Sequence, residues 1–135
     1  MKVFDWIARI AAAAILLQTL YFKLLGFDES VFIFTELGVE PWGRIATGIF
    51  EFIAAVLLLT PRTVWIGCVL TVGLMVGAIL SHLFVLGIEI QNDGGLLFAL
   101  AVIVAICGTV SFFCHRSDIP FLIKSARIKR LRETD

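Results

Sequence analysis

Four stretches of about 20 mostly apolar residues, over 3–25, 42–60, 64–86 and 94–114, take up most of the chain. Each is long enough to cross the ~30 Å hydrocarbon core of a bilayer, where backbone groups have no water to bond and a helix is the simplest way to satisfy them. The remainder is too short for a soluble domain. Hydrophobic residues make up 60% and charged residues 16% of the 135 positions, with a mean hydropathy of +1.02, which is more apolar than a water-soluble globule carries. The expected fold is therefore an all-α membrane protein, a single domain over 1–135 built as an antiparallel bundle of four transmembrane helices. Gln18 and Lys23 interrupt the first stretch, and no small-residue cleavage site follows them, so it reads as an anchored helix and not a signal peptide.

Orientation follows from the distribution of Lys and Arg. With the amino terminus inside, the inner side holds Lys2, Arg9, Arg62, Arg116, Lys124, Arg127, Lys129, Arg130 and Arg132, leaving only Lys23 and Arg44 toward the outer side. Both termini are expected in the cytoplasm. Thr60-Pro61-Arg62-Thr63 reads as a tight inner turn. The longer connection over 26–41 reads as a short outer amphipathic helix, with Asp28 as N-cap, Val31, Phe32, Phe34 and Leu37 on its apolar face and Gly38 as its stop. A basic, cytoplasmic C-terminal helix is expected over 118–132, with His115-Arg116-Ser117-Asp118-Ile119-Pro120 reading as its capping signal and the proline early in the helix. Phe121, Leu122, Ile128 and Leu131 would face lipid, and its cations anionic headgroups.

Formal net charge is zero, which argues neither for nor against nucleic acid; the lipid bilayer is the expected partner, and no nucleic-acid partner is expected. Cys68, Cys107 and Cys114 lack a CxxC pair or metal-like spacing and read as small buried hydrophobes. Helix association in lipid needs close backbone approach. The ridge Gly73, Gly77 and Ser81, with Gly48, Ala55, Ala101, Ala105 and Gly108 on neighbouring helices, reads as that packing surface.

Ionisable groups inside the hydrocarbon cost at least ~2.5–3.5 kcal/mol, so each is a functional candidate. Three stand out. Glu51 lies nine residues in from Trp42, ~13 Å deep; His82 is ~7 Å from the outer end of the third helix; Lys23 is near the outer end of the first. Three groups on three helices, all in the outer half, suit one outward-facing pocket for ligand binding or proton exchange. Thr19 and Thr47 share helix faces with Lys23 and Glu51; Gln18, Arg44, Asn92 and Asp93 would line its mouth, the last two capping the fourth helix. The competing reading of the triad is structural: a snorkelling lysine, a packing histidine and an ion pair. No metal site, haem-ligand pair or nucleotide motif is present, so no intrinsic cofactor is expected and a redox role would need a bound quinone or a partner subunit.

Phe22-Lys23, Glu36-Leu37-Gly38-Val39-Glu40-Pro41, Gly48-Ile49-Phe50-Glu51 with Ala54, and Gly77-Ala78 ahead of His82 resemble the DoxX family of four-helix membrane proteins. The resemblance implies an inner-membrane protein with functional positions at Lys23, Glu51 and His82. It also implies a role as membrane subunit of an oxidoreductase, with a soluble or membrane redox partner and self-association as further expectations; the family's name-giving member is the small subunit of a thiosulfate:quinone oxidoreductase. A receptor chaperone of animal membranes looks like a distant relative of that family, so a non-enzymatic assembly factor or scaffold is the alternative. A proton-coupled transporter ranks last, since four helices are few for alternating access. Thiol-dependent four-helix reductases are excluded by the unpaired cysteines. The expected overall shape is a cup open to the outside, with its costly polar groups gathered in the outer half.

Overall fold

The computed structural model describes residues 2–134, without the side chains of residues 121 and 122. Six α-helices follow in order: α1 (Lys2–Leu25), α2 (Asp28–Glu36), α3 (Trp42–Leu59), α4 (Val64–Ser81), α5 (Leu96–His115) and α6 (Pro120–Glu133). A π-helical turn, His82–Leu86, extends α4, and a 3₁₀ turn, Arg116–Asp118, follows α5. Four helical segments are long and apolar enough to cross a membrane: Lys2–Leu25, Trp42–Leu59, Val64–Leu86 and Leu96–Asp118. Their outward faces carry large apolar side chains such as Ile7, Phe52, Phe84 and Ile106, the surface that lipid solvates.

α1, α3, α4 and α5 pack in a ring, each touching the next. Its core is made of small and medium side chains, with Ala12, Ala13 and Leu16 meeting Ala54, Ala55, Leu58, Cys68 and Val104. Close approach replaces the hydrophobic effect here. A Cβ on Gly67 would lie 2.7 Å from the Leu58 nitrogen, so α3 and α4 are in backbone contact there. Gly48 admits Leu20, and Gly108 admits Val72 and Thr71, as their sequence reading as packing positions implies. Gly73 and Gly77 behave differently: a Cβ on either would meet nothing within 4 Å. The four-residue spacing identified a smooth ridge but not what stands opposite it, and here open space does.

The turn after α3 shows how a proline is accommodated. Pro61 has no N–H to offer the Leu57 carbonyl four residues back, and Thr63 Oγ1 donates to that carbonyl instead, at 3.1 Å. The next orphan carbonyl, Leu58, accepts from Arg9 Nε at 2.7 Å. Arg9 is thus a cap on another helix and only 2% exposed: counted from the sequence among the cations of the inner side, it turns into the bundle. It is held by Asp5 at 3.4 Å and lies over the Trp6 ring. Asp5 Oδ2 in turn meets His115 Nε2 at 2.9 Å, and Asp118 meets the other ring nitrogen at 3.0 Å. A second polar centre therefore sits at this end of the bundle, which overturns the picture of a cup with all costly groups in one half. Its atoms Asp5 Oδ1, Arg9 Nη2 and Ser111 Oγ are buried with no hydrogen-bond partner among the described residues, as is Thr71 Oγ1 on α4.

Other sequence expectations shift in detail. Asp28 is the first helical residue of α2 and not its N-cap: Phe27 takes that place, pinned against Phe22 at 4.9 Å between ring centroids. Asp118 turns back to His115 and caps nothing; α6 starts from Ile119 with Pro120 in its first turn. Among the cysteines, Cys68 is buried, Cys107 partly so, and Cys114 is exposed near the end of α5. In α6 the described side chains are exposed, Ile128 and Leu131 among them, while those of Phe121 and Leu122 lie outside the described residues.

Candidate functional site

At the end opposite Arg9, α2 lies against α1, α3 and the π turn and roofs a cavity of about 850 Å³ between the four long helices. That is within the 300–1,000 Å³ of small-molecule pockets. Its walls are mainly aliphatic, and Lys23, Glu51 and His82 all line it.

Glu51 projects inward from the middle of α3 and is 3% exposed. Lys23 does not snorkel outward; it bends into the bundle, and its Nζ donates to both carboxylate oxygens of Glu51, at 2.9 and 3.0 Å. Thr19, one turn before Lys23 on α1, donates to the Leu16 carbonyl at 3.0 Å and lies 3.5 Å from Glu51 Oε2. This is a paired charge of near-zero sum, so it presents polarity to the cavity without a net field.

His82 is placed by an irregularity. It opens the π turn, where the Gly87 N–H reaches back five residues to the His82 carbonyl, and Gly87 closes the turn at φ +81°. The His82 Nδ1 lies 2.9 Å from the Gly87 carbonyl, which can only accept, so Nδ1 carries the hydrogen. Phe98 stands edge-on to the ring at 5.7 Å. The Nε2 atom makes no hydrogen bond among the described residues; in the neutral ring it is an acceptor. The cavity lining thus includes a bonded ammonium–carboxylate pair and His82.

The weaker candidates divide. Gln18 lines the cavity from α1. Arg44 is not a wall residue: its guanidinium pairs with Glu40 at 2.8 Å and donates to the Lys23 carbonyl, closing the carboxyl end of α1 as a cation there should. Asn92 sits exposed in the connection before α5 at φ +62°. Asp93 caps α5, accepting backbone N–H groups of Ile90, Gly95 and Leu97 at 2.9, 2.8 and 3.2 Å. Its partial burial opposes the charge, but the three N–H donors outweigh that and, with attraction from His82, hold the carboxyl below the usual carboxylate range. Its stabilising effect is then full above about pH 4 and lost as pH falls through the lowered folded value. Asp93→Asn should cost about 1 kcal/mol at neutral pH, a typical cap loss, and the gap in melting temperature from the parent protein should narrow by about pH 3.

Ser30 on α2, Ser81 on α4 and Thr47 on α3 add hydroxyls to the cavity wall. Ser30 was not singled out from the sequence; its signal is a small polar residue four before Phe34 on the buried face of α2.

A family model described as the DoxX-like family matches residues 7–109. The match includes Lys23, Glu51 and His82 and stops short of Ser111, His115 and α6. No match is found among curated proteins or among solved structures.

Proposed function

We propose, from the premise that this chain belongs to the DoxX-like family, that it is a redox-associated inner-membrane subunit whose cavity binds a quinone or a similar small ligand. The single observation that carries the reading is that the Lys23–Glu51 pair and His82 line the same cavity. A quinone head is a flat apolar ring with two acceptor oxygens. Lys23 N–H groups can donate to it, and an imidazole or carboxyl can exchange protons with it as its charge changes. The chain's own groups do not carry electrons, so the donor or acceptor is a partner protein.

In this reading the four spanning helices run antiparallel, both termini lie in the cytoplasm, and the α2 roof with its cavity faces outward, a placement supported by the distribution of Lys and Arg. α6, with Lys124, Arg127, Lys129, Arg130 and Arg132, lies along the anionic inner headgroups.

One observation favours a second reading, an assembly factor or scaffold: Lys23 and Glu51 satisfy each other, as a purely structural ion pair would. Glu51→Gln separates the two. If the cavity is a site, equilibrium binding of a short-chain benzoquinone in nanodiscs weakens at least about tenfold, the value of one charge-assisted hydrogen bond, while membrane abundance stays within about twofold. A fall in abundance with unchanged binding per folded molecule would establish the scaffold.

A further inference from the structure

The cavity is longer than a ligand head requires, and it is open on one side. α3 and α4 touch backbone to backbone at Gly67, yet toward the α2 end they part: Gly73 and Gly77 front the cavity with nothing within 4 Å of their Cβ positions. Phe50 on α3 and Val69 on α4, each about half exposed, stand at the same cavity wall. The result is a crevice between α3 and α4 that opens through the flank of the bundle, at a depth where the surroundings are hydrocarbon. From Ser81 down to Val69 it follows α4 for twelve residues, about 18 Å. One leaflet of hydrocarbon is about 15 Å deep.

Resting on the reading of the cavity as a ligand site, we infer that the ligand is a single-chain membrane amphiphile that enters sideways from the bilayer between α3 and α4. Its compact polar head reaches Lys23, Glu51 and His82, and its tail lies in the crevice along Gly73 and Gly77. Three features converge on this class. The crevice is as long as one leaflet's chain, so a tail fits along it without bending. Its floor is bare of side chains only at the two glycines, which lets a chain lie against the α4 backbone. The polar groups are confined to the end under α2, so the head is small and the remainder apolar. A water-soluble metabolite would need no crevice at hydrocarbon depth, and α2 covers the cavity from the aqueous side. Helical glycine costs roughly 1 kcal/mol against alanine, so two of them on an unpacked face are an expense without a packing return.

The test uses the full-length protein in nanodiscs and a benzoquinone carrying a long alkyl chain with a photoreactive diazirine at the chain end. Expected is crosslinking to α4 around Val69 and Gly73, competed by the unlabelled long-chain quinone. Gly73→Leu and Gly77→Leu fill the crevice while raising helix propensity, so the fold is retained. Each should reduce that crosslinking at least tenfold and leave binding of the short-chain quinone within about twofold. A short-chain quinone that binds while the tail label falls elsewhere, or labelling unchanged in both leucine variants, overturns this inference and leaves the ligand-site reading standing. Failure of both quinones to bind the folded protein overturns both.

Discussion

Arg9→Met is expected to lower the unfolding free energy of the bundle by about 3–5 kcal/mol, the range for removing one partner of a buried charged pair. Arg9 performs three tasks at once. It caps the Leu58 carbonyl at the end of α3, which the turn through Pro61 leaves without an intrahelical donor. It balances the buried Asp5 carboxylate, and its guanidinium stacks over Trp6 at 4.0 Å. Methionine keeps the apolar stem and removes all three. The magnitude discriminates between accounts, because ordinary interhelical hydrogen bonds in membrane proteins average only ~0.6 kcal/mol. Arg9→Lys should fall between, since lysine keeps the charge but loses the planar fork and the stack. Reversible unfolding in mixed micelles, followed by helix content, measures the series. A loss below about 1 kcal/mol for Arg9→Met would place Arg9 among ordinary helix contacts and overturn the charged-cap account.

The difference between the two polar centres shows what a sequence discloses. Glu51 stood out because a carboxyl nine residues inside an apolar run has no route to water, and Lys23 and His82 because each lies within reach of the same depth on another helix. Arg9 and Asp5 escaped for the opposite reason. Near a helix end a charge is explained by the membrane surface, and the positive-inside count absorbs it without asking whether it turns inward. The spacing of Asp5 and Arg9 at i, i+4 was the available sign, but what buries them comes from α3 and α5, one hundred and ten residues away in the case of His115. The glycines make the same point. Gly73 and Gly77 have the spacing of a packing ridge, whereas Gly67, which actually holds α3 against α4, lies outside that ridge. A pattern on one helix identifies a smooth face, and only the tertiary arrangement decides whether a helix or a cavity lies across from it. The π turn at His82 is likewise invisible to periodicity, since it is one residue of slippage inside an otherwise regular apolar run.

The Lys23–Glu51 pair should prove asymmetric when dismantled. Lys23→Met is expected to cost about 3 kcal/mol, because it leaves a carboxyl ~13 Å inside the bundle with Thr19 as its one remaining side-chain hydrogen-bond neighbour among the described residues. Glu51→Gln should cost only about 1 kcal/mol. The ammonium it releases sits near the end of α1 on a flexible stem and can reach the headgroups, and the glutamine amide keeps the hydrogen-bonding shape. In the double variant neither position carries a charge, so its loss should fall short of the sum of the two by about 2 kcal/mol, measured as a double-mutant cycle in the same unfolding assay. Additive losses would mean that the two groups, 2.9 Å apart, do not sense each other, and would overturn the account of Lys23 as the group that neutralises Glu51. The same three proteins decide between scaffold and site. A structural pair is replaceable, so a double variant that folds well and retains every property of the parent would mark the pair as scaffold. If the pair is kept for a ligand, the double variant recovers the fold yet binds the short-chain benzoquinone as poorly as Glu51→Gln, because neutralising the cavity restores the bundle without restoring the charged groups that the ligand head meets.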